Sequence, residues 1–169
     1  SPPGTSIAAD HAVLFVGNSY TGANFPNLAD SYRELVLEGV PQWTDLSIES
    51  VSPGGRNLAQ HYEQAGLVGT NLNNYLTSSN ADHMWDFVVL QEQSQKSGLG
   101  GEYTKGFHQA VGALSKMIRE IDAKPCLYLT WGRQSGDKRN PKVYPDFEAM
   151  QQKITAAYLE AAEINDAIV

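Results

Sequence analysis

The chain has 169 residues, 41% of them hydrophobic and 18% charged, which suits one domain with a single core and argues against a disordered chain. Nineteen Asp and Glu against twelve Lys and Arg give a net charge of −7, so the chain repels a phosphate backbone, and no Lys/Arg run forms a nucleic-acid footprint. No apolar stretch is long enough to span a bilayer, and a single cysteine, Cys126, excludes an internal disulfide.

Residues 1–11 form a Pro/Gly/Ser-rich lead-in, and residues 12–169 read as one domain. The opening Ser-Pro-Pro-Gly-Thr-Ser lacks Met and an apolar signal core, which points to a processed, exported protein, extracellular or periplasmic. Val13–Val16 is a first strand. Apolar spacing predicts a helix over Phe25–Leu37, and alternation predicts a second strand over Leu46–Val51, broken by Pro53-Gly54-Gly55. Asn57 caps a helix running to about Ala65, and Asn71–Leu76 is a shorter helical piece. Asp86–Leu90 is a nearly all-apolar, central strand, followed by a polar loop from Gln91 to Gly101. Tyr103–Ile121 is the clearest amphipathic helix. Cys126–Thr130 is a fourth strand that buries the thiol, Gly132–Pro145 a long polar loop, and Phe147–Ile164 a last helix. Ala167–Val169 opens a fifth strand. The alternation predicts an α/β fold, three-layer α/β/α with a parallel, flavodoxin-like sheet, incomplete at its carboxyl end.

In such a sheet the loops after successive strands open on one edge, where open α/β folds bind ligands. Three of those loops carry suggestive residues: Gly17-Asn18-Ser19, Pro53-Gly54-Gly55 and Gln91-Glu92-Gln93-Ser94. Acyl transfer needs a hydroxyl nucleophile and N–H donors aimed at the developing oxyanion. Ser19, Gly55 and Gln93 have those chemical types. Each also has an ordinary reading, Ser19 as a helix cap, the glycines as a turn, and Gln93 as a loop residue. Tyr20 and Trp131 could line a sugar or acyl pocket or simply pack, and Arg133 could meet a substrate anion or a surface carboxylate. Asp82, His83 and Asp86 fit no common metal spacing, and no phosphate-cradling motif is present, so neither metal nor cofactor is expected.

Val13–Thr21 with Asn24-Phe25-Pro26 resembles the first block of the SGNH hydrolases, the GDSL-like lipases and esterases, in a subgroup with Gly-Asn-Ser. Ser52–Leu58 resembles the family's glycine block, Trp85–Ser94 its third block with Gln93 in place of the usual asparagine, and Tyr128–Arg133 a further part of that subgroup. The resemblance implies a serine esterase in which Ser19 attacks an ester carbonyl and forms an acyl-enzyme. The N–H groups of Ser19 and Gly55 and the Gln93 amide would hold the oxyanion, with Gly54 and Gln91 as fallback donors. Asn18, Tyr20, Trp131 and Arg133 would be substrate contacts, and the substrate a small-molecule or carbohydrate-linked short acyl ester.

The family's Asp and His, three residues apart near the carboxyl end, have no counterpart here. The histidines are His11, His61, His83 and His108, all ahead of the predicted fourth strand. The expectation is that a further C-terminal segment completes the domain and supplies the base, and that these residues alone hydrolyse weakly or not at all. Two other readings are a non-catalytic glycan- or ligand-binding module on the same fold, and a flavodoxin-like flavin or nucleotide binder using Ser19 and Thr21.

Overall fold

Six consecutive residues from His11 to Val16 are almost wholly buried, as a strand covered on both faces must be. In this computed structural model, which describes residues 9–23, 26–77 and 85–169, they form β1 (His11–Val16), inside a parallel four-stranded sheet. The other strands are β2 (Leu46–Val51), β3 (Phe87–Leu90) and β4 (Lys124–Leu127), in the order β2-β1-β3-β4. The helices are α1 (Ser19–Gly22), α2 (Leu28–Gly39), α3 (Leu58–Ala65), α4 (Asn71–Tyr75), α5 (Gly101–Glu120) and α6 (Phe147–Asn165).

Alternate strand residues feed two cores. Leu14, Val16, Val88, Leu90 and Leu127 pack with Leu58 of α3, Leu114 and Ile118 of α5 and Ile154 of α6. Val13, Phe15 and Ile48 meet α2 through Ala29 and Tyr32. The result is the expected three-layer α/β/α arrangement, and each fully buried aliphatic side chain contributes roughly 1.5–3 kcal/mol. Among the described residues no helix is long and apolar enough to cross a membrane.

Several boundaries differ from the sequence reading. His11 lies in β1 rather than the lead-in. The helix expected from Phe25 starts at Leu28, because the Asn27 carboxamide accepts the Asp30 N–H at 2.9 Å and caps it there; Phe25 itself lies outside the described residues. β4 starts two residues earlier than expected, with Pro125 inside it. The flanking N–H groups of Lys124 and Tyr128 bond Asp86 and Leu90, so the proline's missing donor faces away from β3 and costs no bond to it. Cys126, expected to be buried, is only half-buried. The expected opening of a fifth strand is a single parallel bridge, Cys126 to Ile168.

Candidate active site

The carboxyl ends of the strands are level. Val16 is paired with Val51 and with Leu90, and Leu90 with Leu127, so the loops that begin at Gly17, Ser52, Gln91 and Tyr128 leave from one edge. β1 connects outward to β2, while β3 and β4 lie on its other side. The switch point of the sheet therefore falls between the loops after β1 and β3.

In the first loop the capping role falls to Asn18, not Ser19. The Asn18 carboxamide oxygen accepts the Tyr20 N–H at 3.1 Å, and its main-chain carbonyl accepts those of Thr21 and Gly22. Ser19 is the first residue of α1, exposed, and among the described residues neither its hydroxyl nor its N–H has a hydrogen-bond partner. Gly17 is required by crowding: a Cβ there would sit 2.3 Å from Thr21 Oγ1 and 2.6 Å from Gln91 Oε1. Thr21 is buried and donates to that same Gln91 oxygen, which removes it from any phosphate-binding role.

The three loops are cross-linked by buried polar groups. Asn18 Nδ2 donates to the Arg56 carbonyl, and the Asn18 N–H donates to Gln91 Oε1, both at 3.0 Å. Gln91, a fallback donor in the sequence reading, is buried and gives its own amide N–H to the Glu92 carbonyl, so it anchors the loop. Asn18 is likewise turned inward rather than toward a substrate. Gly55 is exposed with φ +71°, a backbone that favours glycine. Its N–H and that of Gly54 carry no hydrogen bond among the described residues.

Gln93 is held by its neighbour, with Nε2 donating to Gln95 Oε1 at 3.1 Å and Oε1 accepting the Gln95 N–H at 3.0 Å. One Nε2 hydrogen is left over. Gln95 continues inward, donating to Asp137 Oδ2 at 2.7 Å, while its carbonyl accepts the Tyr144 hydroxyl. Asp137 is 2% exposed and also accepts from Arg133 and Asn140. Burial opposes its ionisation, but bonds from Asn140, the Arg139 N–H and Gln95, with the Arg133 charge, hold its carboxyl below the usual range. Arg133 is thereby spent on Asp137 and Ser94. Tyr20 and Trp131 stack at 5.0 Å and 7°, with Trp131 still 49% exposed.

None of the described histidines has a hydrogen bond to Ser19. His11 contacts Tyr32 and Asp86 at the opposite edge of the sheet, and His108 reaches the Ala157 carbonyl on α6. His61 is wholly buried on α3, and its Nε2 donates to the Gly17 carbonyl at 2.7 Å, leaving Nδ1 bare. Burial pushes its pKa down to about 4, with Arg56 adding to that and the Gly17 bond opposing it. His83 and Asp82 lie outside the described residues, and among those described no His/Cys/Asp/Glu group could hold a metal.

Sequence reasoning missed His61, Glu92, Gln95 and Asp137. Only Glu92 carried a visible signal, polarity directly after an apolar strand, as in Leu90-Gln91-Glu92. The fold brings Asn18, Arg56 and Gln91 into one bonded network beside Ser19, which takes no part in it; Tyr20 and Trp131 form a separate stacked pair.

No family model and no curated protein sequence matches the chain. Solved structures do. A protein from Slackia heliotrinireducens assigned to the SGNH hydrolases is 28% identical with a TM-score of 0.71, over 95% of this chain and 77% of that one. An acetyl xylan esterase, AlAXEase, is 14% identical with a TM-score of 0.62, over 93% and 75%. The psychrotrophic esterase EstA from Pseudoalteromonas sp. is 16% identical with a TM-score of 0.60, over 94% and 75%.

Proposed function

We propose, for a chain that has the fold of the SGNH hydrolases, a serine ester hydrolase in which Ser19 is the nucleophile. The observation that carries this reading is the set of uncommitted groups at the sheet's carboxyl edge. Among the described residues Ser19 keeps a free hydroxyl and a free N–H, Gly55 a free N–H, and Gln93 one free amide hydrogen, while nearly every buried polar group around them is paired. Ser19 Oγ attacks the ester carbonyl, the alcohol leaves, and water releases the acyl group from the serine. The Ser19 and Gly55 N–H groups and Gln93 Nε2 meet the negative charge on the carbonyl oxygen; losing one such donor costs about 100- to 1000-fold. Trp131, stacked on Tyr20 and half-exposed, offers a flat apolar face to a carbohydrate carrying a short acyl ester.

A serine needs a base. His61 cannot serve, because its Nε2 is committed to Gly17 and its Nδ1 is sealed in the interior. None of the described histidines bonds to Ser19, and the reading takes the base from a C-terminal segment beyond these residues, as the resemblance to the SGNH hydrolases implies. It expects weak p-nitrophenyl acetate hydrolysis by these residues, a large gain with that segment, and loss of that gain in Ser19→Ala. Full activity from residues 1–169 alone would refute the external base. Activity surviving Ser19→Ala would refute the nucleophile. Among the described residues no histidine bonds to Ser19, which also favours a second reading, a glycan-binding module without chemistry. Glycan binding with no turnover in the extended chain would select it.

A further inference from the structure

Glu92 is 2% exposed, and its carboxylate does what its neighbours do not. Oε1 accepts the Leu58 N–H at 3.3 Å and the Gln93 N–H at 2.5 Å. Leu58 opens α3 straight after the glycine loop; Gln93 carries one of the proposed oxyanion donors. We propose that Glu92 is a positioning residue, whose single shared oxygen fixes the spacing between the glycine loop and Gln93. Its consequence for chemistry rests on the ester-hydrolase reading; the clamp itself does not.

Helix capping alone does not explain this carboxylate. α3 already has a complete capping box, with Asn57 accepting from Gln60 N–H at 3.0 Å and Gln60 accepting from Asn57 N–H at 3.1 Å. That box leaves the Leu58 N–H over, and Glu92 accepts it while also accepting the Gln93 N–H from another loop. What Glu92 adds is a bond across two loops. The rest of the residue is also tied down, its N–H donating to the Tyr158 hydroxyl at 3.0 Å.

The groups facing it are Lys96 from its own loop, Asn57 and Ala59 at the start of α3, Glu102 and Tyr103 of α5, and Tyr158 of α6. Burial pushes its pKa up to about 7, against the Gln93 and Leu58 bonds and the Lys96 charge. As pH rises through that value the carboxyl ionises, and two ordinary N–H bonds become charge-assisted and stronger. The clamp therefore tightens on the alkaline side.

Amide NMR of the chain between pH 5 and 9 tests this. The Leu58 and Gln93 resonances should move together with one midpoint near neutrality, and Glu92→Gln should abolish that movement. Glu92→Asp, with a shorter reach, should leave only one of the two amides titrating. Separate midpoints, or no movement in the native chain, would overturn the clamp even if Glu92→Gln did not fold. In parallel, a fluorophosphonate should modify Ser19 faster as pH rises through 7, and Glu92→Gln should slow that reaction roughly tenfold at pH 8 with little change at pH 5.5. A coupled amide titration in a chain whose Ser19 never reacts, even with the C-terminal segment proposed to supply the base, would keep the clamp and reject the ester-hydrolase reading.

Discussion

The two edges of the sheet treat polar side chains in opposite ways. At the carboxyl edge Asn18, His61, Gln91, Glu92, Gln95 and Asp137 are buried and bonded across loops that are far apart in sequence. At the amino edge Asp10, Asp86 and Asp122 are exposed, and His11, buried there, leans on Trp43 and on the exposed Asp86. Burying a polar group is costly unless it is fully bonded. Among the described residues that burial links several loops in fixed relation at the carboxyl edge, around an exposed serine.

The largest expected effect is on that serine. Ser19→Ala should reduce ester turnover and phosphonate labelling to background, while stability changes by less than about 0.5 kcal/mol, since the residue is exposed and its hydroxyl unbonded. Activity assays and chemical denaturation separate the two. Asp137→Ala comes next. It strands the buried donors of Gln95 and Asn140 and the Arg133 charge, and should cost about 2–4 kcal/mol in denaturant unfolding.

The two buried titrating groups of the carboxyl edge should oppose each other. His61 is held neutral, so its contribution is present above 6.5 and is lost as pH falls toward about 4. Glu92 is held protonated, so its contribution is present below 4.5 and is lost as pH rises toward about 7. Between about 4.5 and 6.5 the slopes cancel. Unfolding free energies across pH should therefore be flat there in the native chain. They should rise with pH in Glu92→Gln and fall with pH in His61→Gln, by roughly 3 kcal/mol in each case.

Smaller effects sharpen the contrast. Trp131→Ala should raise KM for a carbohydrate ester several-fold with kcat little changed, as expected for a ring that binds substrate without entering the chemistry. At the amino edge Asp86→Asn, which keeps a side-chain acceptor for the Ala12 N–H, should cost under about 1 kcal/mol. A loss as large as that of Asp137→Ala would erase the distinction between the edges.

Much of the scaffold was legible. β1 and β3 are apolar runs, β2 alternates, and α3 begins after Asn57 as its capping chemistry requires. The position of Ser19 just past the carboxyl end of β1 was legible because a glycine and a serine follow an apolar strand. The start of β4 was not, because a proline reads as a break unless its neighbours' bonds are known. The polar scaffold was also hidden. Asp137 lies 42 residues from Gln95, and His61 44 residues from Gly17. No local pattern says which distant loop a buried carboxylate or imidazole will hold.

The most direct measurement is peptide mapping of the phosphonate-treated chain, supplied with the C-terminal segment proposed to carry the base, by mass spectrometry. A single adduct on the peptide containing Ser19, absent after heat denaturation, is the result expected. An unmodified Ser19, or an adduct spread over other serines, would contradict a nucleophile poised at this edge of the sheet.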